Sequence, residues 1–358
     1  MTMTGTIILN RFVLKFLVLL AVVIGVPVHA DEYRHFMRMP GKLVSVGTHK
    51  LHIYCTGHGS PAVIIDSGMG GFSLEWLNIQ TRLSQYSQVC TYDRAGYGWS
   101  EPGPLPRTTQ QITKELHSLL VNAEIPAPYI LVGHSFGGYT MRYYASTFPK
   151  QVVGMILVDS SHPEQFARIP GLRVSTEPQP AKRWTITFSH PVIPDNYPER
   201  AKLSALLLMS TAKALYTRQQ EMESFRLSAY EVAMANNMPD IPLTVISHGK
   251  HIWPKTDIGD RSEQAWSELQ NELCKLTSYS DHEIAATSGH LIHLDQPNLV
   301  SNAVIKMVTL TDENIAMQSP GGFNQLTADN LMNHPDINAA VDHLISFNLP
   351  SPVIDTAQ

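Results

Sequence analysis

The segment Tyr129-Ile130-Leu131-Val132-Gly133-His134-Ser135-Phe136-Gly137-Gly138 admits few architectures. It opens as an apolar strand, and a helical pattern follows over 138–148. Between them lies G-x-S-x-G, with glycines two before and two after Ser135. Such a serine occupies a tight, strained strand-to-helix turn, in which side chains at the flanking positions would collide. The turn lifts the hydroxyl above the sheet, and the helix aims its N-terminal amides at developing negative charge. By composition alone the pentapeptide arises in roughly one such chain in ten. The strand and helix around it are what give it weight.

The rest of the chain supplies matching layers. Strand-like apolar runs fall at 43–46, 51–55, 62–66, 89–92, 129–132, 152–158, 243–247 and 283–286, and helical patterns at 108–121, 138–148, 264–275 and 299–310. The first two runs suit an opening hairpin. From 62 onward helix-length segments separate the runs, as in parallel βαβ units of an α/β fold. More than eighty residues separate Val158 from Leu243, too many for a connection, so 161–240 reads as a cap over the sheet. It is Pro-rich at first and helical from about Glu199 to Met238. Its apolar positions Leu206, Leu207, Leu208, Met209, Leu215, Met222, Phe225, Leu227 and Met234 are expected to serve mainly as core.

Residues 1–30 read as a secretory leader. Arg11 and Lys15 precede an apolar run over 16–26, and Val28-His29-Ala30 offers a small-residue cleavage site before Asp31. That run has 11 residues, whereas a spanning helix needs about 20. The expectation is an exported protein, periplasmic or extracellular, with no stable membrane span after cleavage. The core would then be 31–160 and 241–310, the cap 161–240, and 311–358 an extension with a short amphipathic helix over 335–347. In an oxidising compartment Cys55 and Cys90 can form a disulfide if their strands are neighbours, leaving Cys274 free. Three buried thiols are the competing reading.

A net charge of −5 without a basic run outside the leader argues against nucleic acid as a partner. No C-x-x-C or H-E-x-x-H spacing occurs, so neither a metal nor another cofactor is expected.

A serine hydroxyl is a weak nucleophile and needs a base, which in turn needs an orienting carboxylate. The base is assigned to His290, in Ser288-Gly289-His290, where Gly289 lets the loop reach back; His293 is the rival. The acid is assigned to Asp159, which ends the run 152–158. Asp257 and Asp260, in the loop after the run 243–247, are the competing candidates. His134 is expected to point away from the serine hydroxyl. An oxyanion hole needs two N–H donors, for which the amides of Phe136 and Met69 are the candidates; Met69 lies in the glycine-rich Asp66-Ser67-Gly68-Met69-Gly70-Gly71.

Together these motifs, with Asp93-Arg94-Ala95-Gly96-Tyr97-Gly98-Trp99-Ser100, resemble the α/β-hydrolase superfamily over roughly 42–310. The resemblance implies an eight-stranded, mostly parallel sheet flanked by helices, with a helical cap after the sixth strand. It also implies Ser135 as nucleophile, His290 as base, and Met69 and Phe136 as oxyanion donors. The acid can follow either of two strands in that superfamily, and the Asp93–Ser100 loop carries no expected catalytic role. Asp66-Ser67-Gly68 departs from the His-Gly that relatives often have there.

The function expected is a carboxylesterase- or lipase-like serine hydrolase acting on a small-molecule or lipid-like ester. An aminopeptidase of the proline iminopeptidase kind is the alternative, with Glu199, Glu221 or Glu223 meeting the free amine; a non-catalytic binding protein is another. Dehalogenase and epoxide hydrolase chemistry is disfavoured, because those relatives have Asp where Ser135 stands.

Overall fold

The computed structural model describes residues 39–172 and 193–318, with side chains through 311. The leader at 1–30, residues 173–192 of the Pro-rich stretch and the helix expected over 335–347 lie outside the described residues. The chain divides after Thr311 into two units, and every contact below belongs to the first. Among the described residues no helix is long and apolar enough to cross a membrane.

Eight strands form one sheet: β1 (Lys42–Ser45), β2 (Lys50–Thr56), β3 (Ala62–Asp66), β4 (Val89–Tyr92), β5 (Tyr129–His134), β6 (Val152–Val158), β7 (Leu243–His248) and β8 (Ser280–Ala285). Their order is β1-β2-β4-β3-β5-β6-β7-β8. Pairing is antiparallel for β1 with β2 and for β2 with β4, and parallel from β4 to β8. Every residue of β3, β5 and β7 is buried, as expected of central parallel strands covered on both faces. The edge strands β1 and β8 are largely exposed or half-buried instead.

The helices of seven residues or more are α1 (Leu77–Leu83), α2 (Thr109–Asn122), α3 (Phe136–Thr147), α4 (Lys202–Met209), α5 (Ala212–Met234), α6 (Asp257–Leu273) and α7 (Pro297–Gln318). One face of the sheet packs on Leu116 and Leu119 of α2 and Met141 and Tyr144 of α3. The other packs on Ile79 and Leu83 of α1 and Val300, Val304 and Met307 of α7. Parallel pairing aligns Asp66 with Gly133, His134 with Val158, and Val158 with Ile246. The chain segments leaving β3, β5, β6 and β7 therefore emerge along one edge, and the site is built there.

The cap departs from the expected pattern. The buried seam of α5 is Ala214, Thr217, Glu221, Ser224, Ser228, Ala229 and Val232, mostly small or polar. Small side chains let the helix come close: a methyl on Gly96 would lie 1.8 Å from Thr217 Oγ1. Leu215, Met222, Leu227 and Met234, read above as core, are 49, 56, 47 and 62% exposed. Residues Met238 and Asp240 lie beyond the end of α5, so the helical pattern stops short of its expected limit. Helix α6 begins earlier than expected, so Asp257 and Asp260 stand in its first turn rather than in a loop.

Cys55 and Cys90 are directly paired residues of β2 and β4 and form a disulfide, with Cα atoms 4.1 Å apart and a sequence separation of 35. Closing a loop of that length stabilises by about 4 kcal/mol in the chain-entropy account. Thiol titration of the denatured, unreduced protein is expected to find Cys274 alone. A Cys55→Ala/Cys90→Ala variant is expected to lose about 2–5 kcal/mol in urea unfolding. Three free thiols without reductant would show that the bond does not form.

Candidate active site

Ser135 sits between β5 and α3 at φ 51° and ψ −118°, a strained backbone for a residue with a Cβ. The flanking glycines have physical reasons to be there. A methyl on Gly133 would lie 2.7 Å from Gly138 Cα, and one on Gly137 would lie 2.4 Å from the Asp66 carbonyl oxygen. The start of α3 is thus pressed against the backbone that leaves β3. Ser135 N–H donates to Val158 O at 3.1 Å and Ser161 N–H to Ser135 O at 3.0 Å, which ties the elbow to the end of β6.

Asp159 follows β6 at φ 42° and is fully buried. Its Oδ2 lies 2.6 Å from His290 Nδ1, while Trp266 Nε1 donates to Oδ1 at 2.9 Å. Burial pushes the Asp159 carboxyl up, but hydrogen bonds from His248 and His290, with the charge of those rings, hold it well below the usual carboxylate range. His290 is held on the far side too: His134 Nε2 lies 2.9 Å from the His290 carbonyl oxygen. Asp295 accepts from Ser288 Oγ at 2.8 Å and from Gly289 N–H at 3.0 Å, pinning the loop. A methyl on Gly289 would meet only Ile252 Cγ2 at 3.4 Å, an ordinary contact, so the loop is shaped by Asp295 rather than by glycine's freedom.

The rival candidates lie elsewhere. His293 is buried and stacked on Trp76, with ring centroids 4.4 Å apart, and its Nε2 is 3.6 Å from Glu75. Asp257 is exposed, and Asp260 pairs with His251 at 3.0 Å. Burial holds His134 well below the usual imidazole range, so it is neutral packing beside His290. Glu75, His134 and His293 offer donor atoms within 4.8 Å of one another. Among the described residues, Glu75 Oε1, His134 Nδ1 and both ring nitrogens of His293 have no hydrogen-bond partner.

Sequence reasoning passed over a second cluster. Arg94, in the loop after β4, is buried and spends its guanidinium on the backbone after β3: Nη1 donates to Ser67 O at 2.6 Å and Nη2 to Gly68 O at 2.9 Å. Nη1 also meets Asp66 Oδ1 at 2.7 Å, and Nε meets Glu221 Oε1 of α5 at 2.8 Å. Tyr97 Oη donates to Glu221 Oε2 at 2.9 Å. The cap helix is therefore ion-paired, through Arg94, to the two peptides that precede Met69. The D-R-x-G-x-G-x-S pattern was visible in sequence; its partner in α5, 127 residues away, was not.

This fold and this edge define a class. The chain matches the alpha/beta hydrolase family over residues 58–303 and belongs to it. Among individual relatives, it is 25% identical over 248 residues to the uncharacterized protein YqjL of Bacillus subtilis, covering 69% of this chain and 83% of that one. Two solved structures share the fold. A serine hydrolase involved in carbazole degradation matches at TM-score 0.56 and 17% identity over 75% of this chain and 98% of its own. The epoxide hydrolase CorEH matches at TM-score 0.55 and 17% identity with the same coverage. The fold thus accommodates different chemistries, and the side chains at the elbow must decide among them.

Proposed function

We propose that the protein is an exported serine hydrolase that cleaves carboxylic esters of hydrophobic substrates. The observation that carries this reading is Ser135 on its strained elbow, one strand from buried Asp159, which holds His290 at 2.6 Å. In this reading Ser135 Oγ attacks the ester carbonyl while His290 Nε2 takes its proton. The amides of Met69 and Phe136 receive the oxyanion, and His290 then protonates the departing alcohol. Water, deprotonated by His290, attacks the acyl-serine and releases the acid. The disulfide supports export, because such bonds persist in oxidising compartments.

The cap glutamates favour an ester over a peptide with a free amine. Glu221 is committed to Arg94 and Tyr97, Glu199 pairs with Lys202 at 2.5 Å, and Glu223 accepts from Gln219 and Gln220. A fluorophosphonate probe is expected to label the protein at one site, and p-nitrophenyl esters from acetate to laurate to be hydrolysed with a chain-length optimum above acetate. Labelling without ester hydrolysis, beside turnover of an aminoacyl-p-nitroanilide, would replace this reading with the peptidase.

A further inference from the structure

Asp159 has a second imidazole. His248, the last residue of β7, is buried and points its Nδ1 at the same oxygen that His290 uses, 2.7 Å from Asp159 Oδ2. Its backbone N–H adds a bond to Asp159 Oδ1 at 3.2 Å. The other ring nitrogen, Nε2, lies 2.8 Å from Glu263 Oε1 of α6. Glu263 Oε2 in turn accepts from Ile252 N–H at 3.0 Å. An ionised carboxylate only accepts hydrogen bonds, whereas a neutral imidazole has one donor nitrogen and one acceptor. Between two ionised carboxylates, a ring with an oxygen at hydrogen-bond distance from each nitrogen satisfies both contacts only as the imidazolium.

We propose that His248 is a standing imidazolium clamped between Asp159 and Glu263. It acts as a positioning residue that orients the Asp159 carboxylate toward His290 and tempers its charge. The site then runs Ser135, His290, Asp159, His248, Glu263, and this inference rests on the triad reading above. The charges balance along that line. With His290 neutral, two carboxylates face one cation; when His290 takes the serine proton, two cations face two carboxylates. Glu263 thus supplies the counter-charge that lets two imidazoliums share one oxygen.

The surroundings are consistent with a charged ring. Burial alone would push His248 down, but the hydrogen bonds and charges of Asp159 and Glu263 outweigh it and hold the ring above its usual range. The groups facing it are Asp159 from the end of β6, Glu263 and the stacked Trp266 from α6, and, beyond Asp159, His290. His251, on its own loop, reaches the far oxygen of Glu263 at 4.0 Å and pairs with Asp260.

The test has two readouts. In protein labelled with ¹⁵N-histidine, one ring is expected to keep both N–H groups at pH 8, and that signal is expected to vanish in His248→Gln. Gln keeps a donor for Asp159 and drops the charge. The acidic limb of fluorophosphonate labelling against pH is then expected to move up by about one unit, because Asp159 no longer shares its charge. A His248 ring with one bare nitrogen at pH 8 overturns the proposal whether or not the protein turns over any ester. An imidazolium whose loss leaves the limb in place overturns the influence on His290. Failure of all labelling falls on the triad, while the resonance still decides the charge on His248.

Discussion

Ser135→Ala is expected to abolish fluorophosphonate labelling and to lower kcat on p-nitrophenyl esters by about 10⁶-fold. Asp159→Asn is expected to cost about 10⁴-fold while leaving the chain folded. The reasoning for the second is geometric. Asp159 is fully buried with Oδ2 against His290 Nδ1 at 2.6 Å, so the carboxylate keeps the proton on Nδ1 and leaves Nε2 free to act as base. An asparagine that offers its amide N–H there would stabilise the wrong tautomer. Its backbone demand is light, since Asn tolerates the positive φ of 42° at this position. The control is Asp257→Asn. Asp257 is exposed in the first turn of α6, so activity is expected to be unchanged. Far-UV circular dichroism and the urea midpoint separate loss of activity from loss of fold. An active Asp159→Asn beside an inactive Asp257→Asn would move the acid to α6.

Much of this was legible because it is local. An apolar run reads as a buried parallel strand wherever it stands, and β3, β4 and β6 fall on their expected residues. The elbow announces itself because two glycines are sterically required, at Gly133 by Gly138 and at Gly137 by the Asp66 carbonyl. What stayed hidden depends on pairs far apart in the chain. His248 and Asp159 are 89 residues apart and Arg94 and Glu221 are 127 apart, and no periodicity relates them. The cap misled for a different reason. A helix that docks through small and polar residues has an apolar count that says little about which side faces in, and α5 turns Leu215 and Met234 outward. The Gly289 loop likewise depends on a partner the local sequence does not mark: Asp295 holds it through Ser288 and Gly289.

Arg94→Lys and Glu221→Gln are each expected to lower kcat by about 10²-fold, with a smaller change in KM. Arg94 holds the Ser67 and Gly68 carbonyls, and the peptide after Gly68 carries the Met69 amide assigned to the oxyanion. Lysine keeps the charge, but a single ammonium cannot reach Asp66, two carbonyls and Glu221 in the plane that the guanidinium spans. A displaced oxyanion donor costs the transition state rather than substrate binding, hence the weight on kcat. Glu221→Gln takes one partner from a buried ion pair and is expected to cost about 3 kcal/mol in urea unfolding as well. The two measurements are separable. If the cap merely covers the sheet, Glu221→Gln will lower the unfolding free energy and leave kcat on p-nitrophenyl butyrate intact. If the cap holds the oxyanion loop through Arg94, both will fall, and Arg94→Lys will lower kcat to a similar extent. In that case α5 is part of the catalytic apparatus, and its polar seam follows from that: a helix docked only by apolar side chains could not deliver a carboxylate to the buried guanidinium.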